Sequence, residues 1–151
     1  MFSSDLLMLM IKKKRIVAID FGLKRTGLAI TDENNIIASG LTTVATKDVM
    51  NYLTTLTEEK NIGTIVLGEP KRLNLEDSHS SENVRLFAEA LKKQFPTISI
   101  EMMDERFTSK MAMQSMISGG VSKKNRQNKA LVDEVSATII LQSYMDRQRF
   151  V

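Results

Sequence analysis

Cysteine is absent from all 151 residues. Disulfides, thiolate nucleophiles and cysteine-ligated zinc or iron–sulfur centres are thereby excluded, and a reducing, cytoplasmic setting is expected. Histidine is nearly absent. His79 stands alone in a polar stretch with no spaced partner, whereas a histidine-built metal site needs several ligands. Tryptophan is missing and the few aromatic residues do not interleave the basic clusters, so no base-stacking platform is legible. No apolar run is long enough to span a membrane. Repeats and low-complexity tracts are also lacking.

What remains is the composition of an ordinary globular protein, long enough for one compact domain with a real core. The net charge is only +3 with a pI near 9.2. The cations are clustered, however, which suits an anionic partner. Residues 1–11 (MFSSDLLMLMI) precede Lys12-Lys13-Lys14-Arg15, the reverse of a secretory signal's charge order. They read as an extension without assigned function, with Met8 and Met10 as alternative starts, ahead of one domain over 12–147.

The chain is organised around Arg15–Ile30. A short run of β-formers ends abruptly in Asp20. Gly22 and Gly27 then bracket a turn carrying Lys24 and Arg25 before a second apolar run begins. A hairpin needs glycines, but it has no need of a carboxylate at the end of a buried strand. Such a charge is costly unless something pairs with it. Asp20 either caps the turn, as Asp often does, or holds a ligand.

The patterning predicts a third strand over Ile36–Val44 and a helix over Lys47–Lys60 capped by Thr46. A short apolar strand, Thr64–Leu67, is expected to stop at Gly68-Glu69-Pro70. A helix opening at Ser80 or Ser81 follows, with a stripe through Val84, Phe87, Ala88 and Leu91. The fifth strand is read as Ile98–Met103, ending at Asp104-Glu105. A methionine-rich helix from Thr108 or Ser109 closes at Gly119-Gly120. A basic loop spans Val121–Lys129, and the last helix covers Ala130–Arg147, its apolar stripe read through Val132, Val135 and Ile139. The order predicts an α/β domain with a five-stranded mixed sheet, an antiparallel meander joined to two parallel strands. The carboxyl ends of strands in such sheets bind ligands, and Asp20 and Asp104-Glu105 occupy those ends.

A third acid lies in the last helix. Asp133 and Glu134 both suit a helix start. Asp133 differs in having Ser136 and Ala137 one turn on, small residues that let a metal or another backbone approach. Three carboxylates without histidine or cysteine partners indicate hard cations such as Mg²⁺ or Mn²⁺. Paired metals of this kind clamp the oxygens of a phosphoryl transfer. Lys24, Arg25, Lys123, Lys124 and Arg126 would then hold a polyanionic backbone. Arg106 would contact phosphate or pair with Asp104.

Asp20-Phe21-Gly22-x-Lys24-Arg25-x-Gly27-x-Ala29, Gly68-x-Pro70, Asp104-Glu105-Arg106-x-Thr108 and Asp133-x-x-Ser136-Ala137, in that order, resemble the YqgF family, also called RuvX. The resemblance covers about Lys14 to Tyr144. It implies a ribonuclease H-like fold and a cytoplasmic nuclease that matures the 5′ end of pre-16S rRNA on ribosomal particles, or a Holliday-junction resolvase acting on branched DNA. It implies Asp20 and Asp133 as metal ligands, with a middle acid in Asp104-Glu105. Asp104 is preferred as the first residue past the apolar run, and Glu105 is kept beside it. Ribonuclease H-like resolvases typically carry an acid at the end of the fourth strand, where this chain has Gly68 followed by Glu69. A resolvase also requires a symmetric dimer. No motif shows a dimer face, and a monomer or weak homodimer is expected. A non-catalytic RNA-binding assembly factor is the alternative from another class. An ATPase of the two-domain actin type is excluded by length.

Overall fold

The structure, a computed structural model, describes residues 13–70, 79–105 and 114–149, with Pro70, residues 79–81, Asp104 and Glu105 described by backbone alone. The predicted extension, Arg106 and the start of the methionine-rich helix fall outside the described residues. Five strands form one sheet: β1 (Arg15–Phe21), β2 (Arg25–Thr31), β3 (Ala38–Ala45), β4 (Ile62–Pro70) and β5 (Ser99–Glu105). Their order is β3-β2-β1-β4-β5. β1 is antiparallel to β2 and parallel to β4. β2 is antiparallel to β3, and β4 is parallel to β5. This is the predicted mixed sheet.

Helices cover both faces. On one, α1 (Val49–Glu59) and α2 (His79–Gln94) seal a core of Val17, Ile19, Leu28, Leu53, Ile65, Leu67, Val84 and Leu91. Phe87 of the predicted α2 stripe stacks on Phe21 with ring centroids 4.7 Å apart. On the other, α3 (Lys129–Arg149) lies over Ala18, Ala29 and Val66. Alternation along β1 sorts Val17 and Ile19 to the first face, and Ala18 with Asp20 to the second.

Several element bounds differ from the sequence reading. β4 runs on through Gly68-Glu69-Pro70, because β5 continues to supply pairing partners there, past the point where β1 pairing ends at Leu67, and these outweigh local breakers. β3 starts at Ala38. Ile36 and Ile37 instead form a turn in which their N–H groups donate to Asp32 at 2.6 and 2.8 Å. That bonding, from Ile37 first, holds the Asp32 carboxyl below its ordinary range. Thr46 does not cap α1. A single 3₁₀ turn, Thr46–Asp48, comes between, and its hydroxyl is used elsewhere. The basic stretch after Gly120 holds a short helical turn, Lys123–Arg126, capped by Ser122, whose Oγ accepts from the Asn125 N–H at 3.3 Å. Gly120 has φ +77° and ends helical residues 114–118 as the sequence predicts.

The largest revision concerns α3. Its buried positions are Ser136, Ala137, Ile140, Leu141 and Met145. Val132, Val135 and Ile139 are only partly covered. The helix therefore turns small residues to the sheet at its start, where its backbone comes closest to Gly27, and larger ones, Ile140, Leu141 and Met145, further along. Asp133 lies on this inward stripe.

Candidate active site

The carboxyl end of β1 carries Asp20, half-buried, in register with Gly27 of β2. A Cβ built on Gly27 would strike the backbone carbonyl of Asp133. Only glycine lets α3 settle there. The two acids, far apart in sequence, are thus drawn together by one missing side chain. α3 is fixed at this end by further bonds. Thr43 Oγ1 donates to the Ala130 carbonyl at 2.6 Å, and Asn128 Oδ1 accepts the Ala130 and Leu131 N–H groups at 3.1 and 3.4 Å. Sequence reasoning passed over Asn128, although an Asn just before a helical run is a start signal.

Arg25 Nε donates to Asp133 Oδ2 at 3.1 Å, with the two side chains 40% and 25% exposed. Burial pushes the Asp133 carboxyl above its ordinary value, and Arg25 and, more weakly, Lys129 pull it back down only in part.

The hairpin tip is locked. Thr46 Oγ1 donates to the Gly22 carbonyl at 2.6 Å and lies 2.9 Å from Thr26 Oγ1. The Thr46 N–H donates to the Lys24 carbonyl at 3.0 Å. Leu23 and Lys24 are held out to solvent on this tip. Thr46, read from sequence as a helix cap, is in fact the clamp that sets where Lys24 and Arg25 sit.

The other expected residues divide by position. Asp104 pairs in register with Glu69, and Glu105 with Pro70, at the same end of the sheet as Asp20. Among the described residues no three carboxylates converge. Glu69 belongs to the opposite face, where its Oε1 lies 3.6 Å from Arg85 of α2. Lys123 and Lys124 are exposed and Arg126 partly so, on the turn that leads into α3. Glu134 rests over Gly40 of β3, away from this edge. A cleft of about 620 Å³ lined by Lys13, Arg15, Glu33, Glu58 and Lys60 sits at the far end of the strands, with no candidate residue in it.

Residues 14–147 match the family described as RuvX, Holliday junction resolvase. A protein of Phocaeicola vulgatus named "Putative pre-16S rRNA nuclease" is 49% identical over 137 residues, covering 91% of this chain and 99% of its own. One of the same name from Flavobacterium psychrophilum is 53% identical over 134 residues, covering 89% and 98%. The chain belongs to the RuvX family. Among solved structures, T. thermophilus RuvC in complex with a Holliday junction substrate superposes with a TM-score of 0.53 at 13% identity, covering 90% of this chain and 96% of that one. At that identity the likeness establishes the ribonuclease H-like fold alone. For this RuvX chain the fold, the family and the nuclease class agree with the sequence reading. No helix among the described residues is long and apolar enough to cross a membrane.

Proposed function

We propose that the chain is a divalent-metal-dependent nuclease acting on structured RNA at the edge marked by Asp20 and Asp133, and that its substrate is pre-16S rRNA in the cytoplasm. The observation that carries this reading is the seating of Asp133 on Gly27 beside Asp20, which brings two half-buried acids together where the fold alone needs neither. The names borne by close relatives supply the substrate.

The donor set fits a hard cation such as Mg²⁺ or Mn²⁺. The donors are oxygens, and Arg25 and Lys129 together do not offset the burial of Asp133. Asp20 and Asp133 would hold it, with an acid from the end of β5. Asp104 and Glu105, the last two residues of β5, are the candidates for that third place. A bound cation supplies water activation and charge neutralisation at the phosphate. Arg25, still substantially exposed, orients Asp133 and offers its remaining N–H groups to a phosphate oxygen. Lys24, Lys123, Lys124 and Arg126 hold the backbone on either side.

Incubating the purified protein with precursor rRNA and with four-way junction DNA, each in Mg²⁺, Mn²⁺ or EDTA, tests this. RNA cleavage that requires the metal is expected. Junction cleavage with intact RNA would overturn the substrate, and cleavage in EDTA would overturn the metal.

A further inference from the structure

Ser136 is 1% exposed and its Oγ finds no hydrogen-bond partner among the described residues. A buried hydroxyl without a partner is costly, and native structures rarely tolerate one without a use. A serine in a helix can bond back to the carbonyl one turn earlier, as Thr138 does to Glu134 at 2.9 Å in this same helix. Ser136 does not.

Its location follows from the helix geometry. Residues advance by about 100° each, so Glu134 lies about 100° round from Asp133 in one sense and Ser136 about 60° in the other. Glu134 rests over Gly40. Gly40 pairs with Ala29, two residues along β2 from Gly27 and further from the carboxyl end of β1. The flank bearing Ser136 therefore faces the Asp20 edge. Three residues also advance the helix by about 4.5 Å, close to the spacing between neighbouring strands. α3 crosses from Thr43 of β3, over Gly27 of β2, to Glu101 of β5, where Tyr144 donates its hydroxyl proton. One turn beyond Asp133 the helix has moved from β2 to β1, the strand of Asp20.

We infer that Ser136 is a positioning residue whose hydroxyl is completed by the hydration shell of a divalent cation held between Asp20 and Asp133. The inference rests on the metal-dependent reading above. Mg²⁺ and Mn²⁺ keep several waters when bound through few carboxylates, and a water in that shell can accept from or donate to a hydroxyl on the helix flank. Without the ion the hydroxyl is an unsatisfied buried group. With it, the hydroxyl fixes where that water stands.

Thermal melts of the full chain across a Mn²⁺ titration, for wild type, Ser136→Ala, Ser136→Thr and Asp133→Asn, decide it. Ser136→Ala should melt at or above wild type without metal, since it removes an unpaired buried hydroxyl. It should need 10–100-fold more Mn²⁺ for the same rise in Tm, the usual penalty when a group bonded to a metal's ligands is removed. Ser136→Thr, which keeps the hydroxyl, should hold the wild-type midpoint. If Ser136→Ala melts lower without metal yet responds at the wild-type Mn²⁺ concentration, the hydroxyl is structural and the inference falls alone. If wild type does not respond to Mn²⁺, or Asp133→Asn responds as wild type does, the metal-dependent reading falls and takes the inference with it.

Discussion

At the scale of single residues, Asp20 and Asp133 carry opposite costs and returns. Asp20→Asn keeps the shape and removes the charge. Cleavage of precursor rRNA should fall at least ~100-fold, about 2.7 kcal/mol of transition-state stabilisation, in single-turnover assays on the folded variant. Asp133 is different because burial raises its carboxyl pKa in the folded state above the ordinary 3.8. Folded protein then holds this proton more tightly than unfolded protein does. The charged form therefore works against folding, fully above the folded pKa and not at all below 3.8. Asp133→Asn should thus raise the metal-free Tm at neutral pH, and the gain should shrink to nothing as pH falls towards 3.8. If Asp133 served only the helix dipole, Asn would instead lower stability by roughly 0.3–1 kcal/mol at neutral pH. Melts of both proteins from pH 7 downwards read the sign directly.

Among elements, the joint between β2 and α3 controls the site. A methyl group at position 27 has nowhere to go except into the Asp133 carbonyl. Either α3 lifts or β2 bends, and both take Asp133 away from Asp20. Gly27→Ala should cost roughly 1–3 kcal/mol in urea denaturation, the range for overpacked cores. It should also abolish most cleavage, although position 27 carries no chemistry. A variant as stable as wild type would show that the helix does not sit this close. The other end of α3 is anchored by Tyr144 on Glu101, where burial first and Glu101 second push the phenol up to about 12. Helix start and helix end are thus tied to opposite edges of the sheet. Asp133 is therefore presented by a rod held at both ends, which suits a site that must keep its geometry.

For the molecule as a whole, the question is how a chain with a net charge of only +3 holds a polyanion. Its cations are grouped at the turns that border the site: Lys24 on the clamped hairpin, and Lys123, Lys124 and Arg126 on the turn before α3. Nothing aromatic interleaves them, so in the proposed interface they would give affinity with little sequence preference. Changing Lys123, Lys124 and Arg126 together to Ala should weaken RNA binding uniformly across sequences. The slope of log K against log salt should flatten by roughly 0.7–0.9 for each phosphate that the variant no longer neutralises. Filter binding at several salt concentrations measures this, and an unchanged slope would remove the turn from the interface.

Local patterning was enough to establish the order of elements, the composition of the sheet and the acids worth watching. Those features are written in the period of apolar residues and in breaks such as a carboxylate ending a β-run. The same patterning misjudged Gly68-Glu69-Pro70 as a stop and Thr46 as a cap, because pairing with β5 and a carbonyl on a distant hairpin tip overrule local preference. It also pointed to the wrong stripe on the last helix. Val132, Val135 and Ile139 make a regular apolar stripe, but the close approach of the helix to Gly27 selects the stripe through Ser136, Ala137, Ile140, Leu141 and Met145. That selection belongs to the packed fold, since which face of a helix is buried depends on what lies beneath it. It turns Asp133 towards the sheet, and with it Ser136, whose hydroxyl has no partner among the described residues.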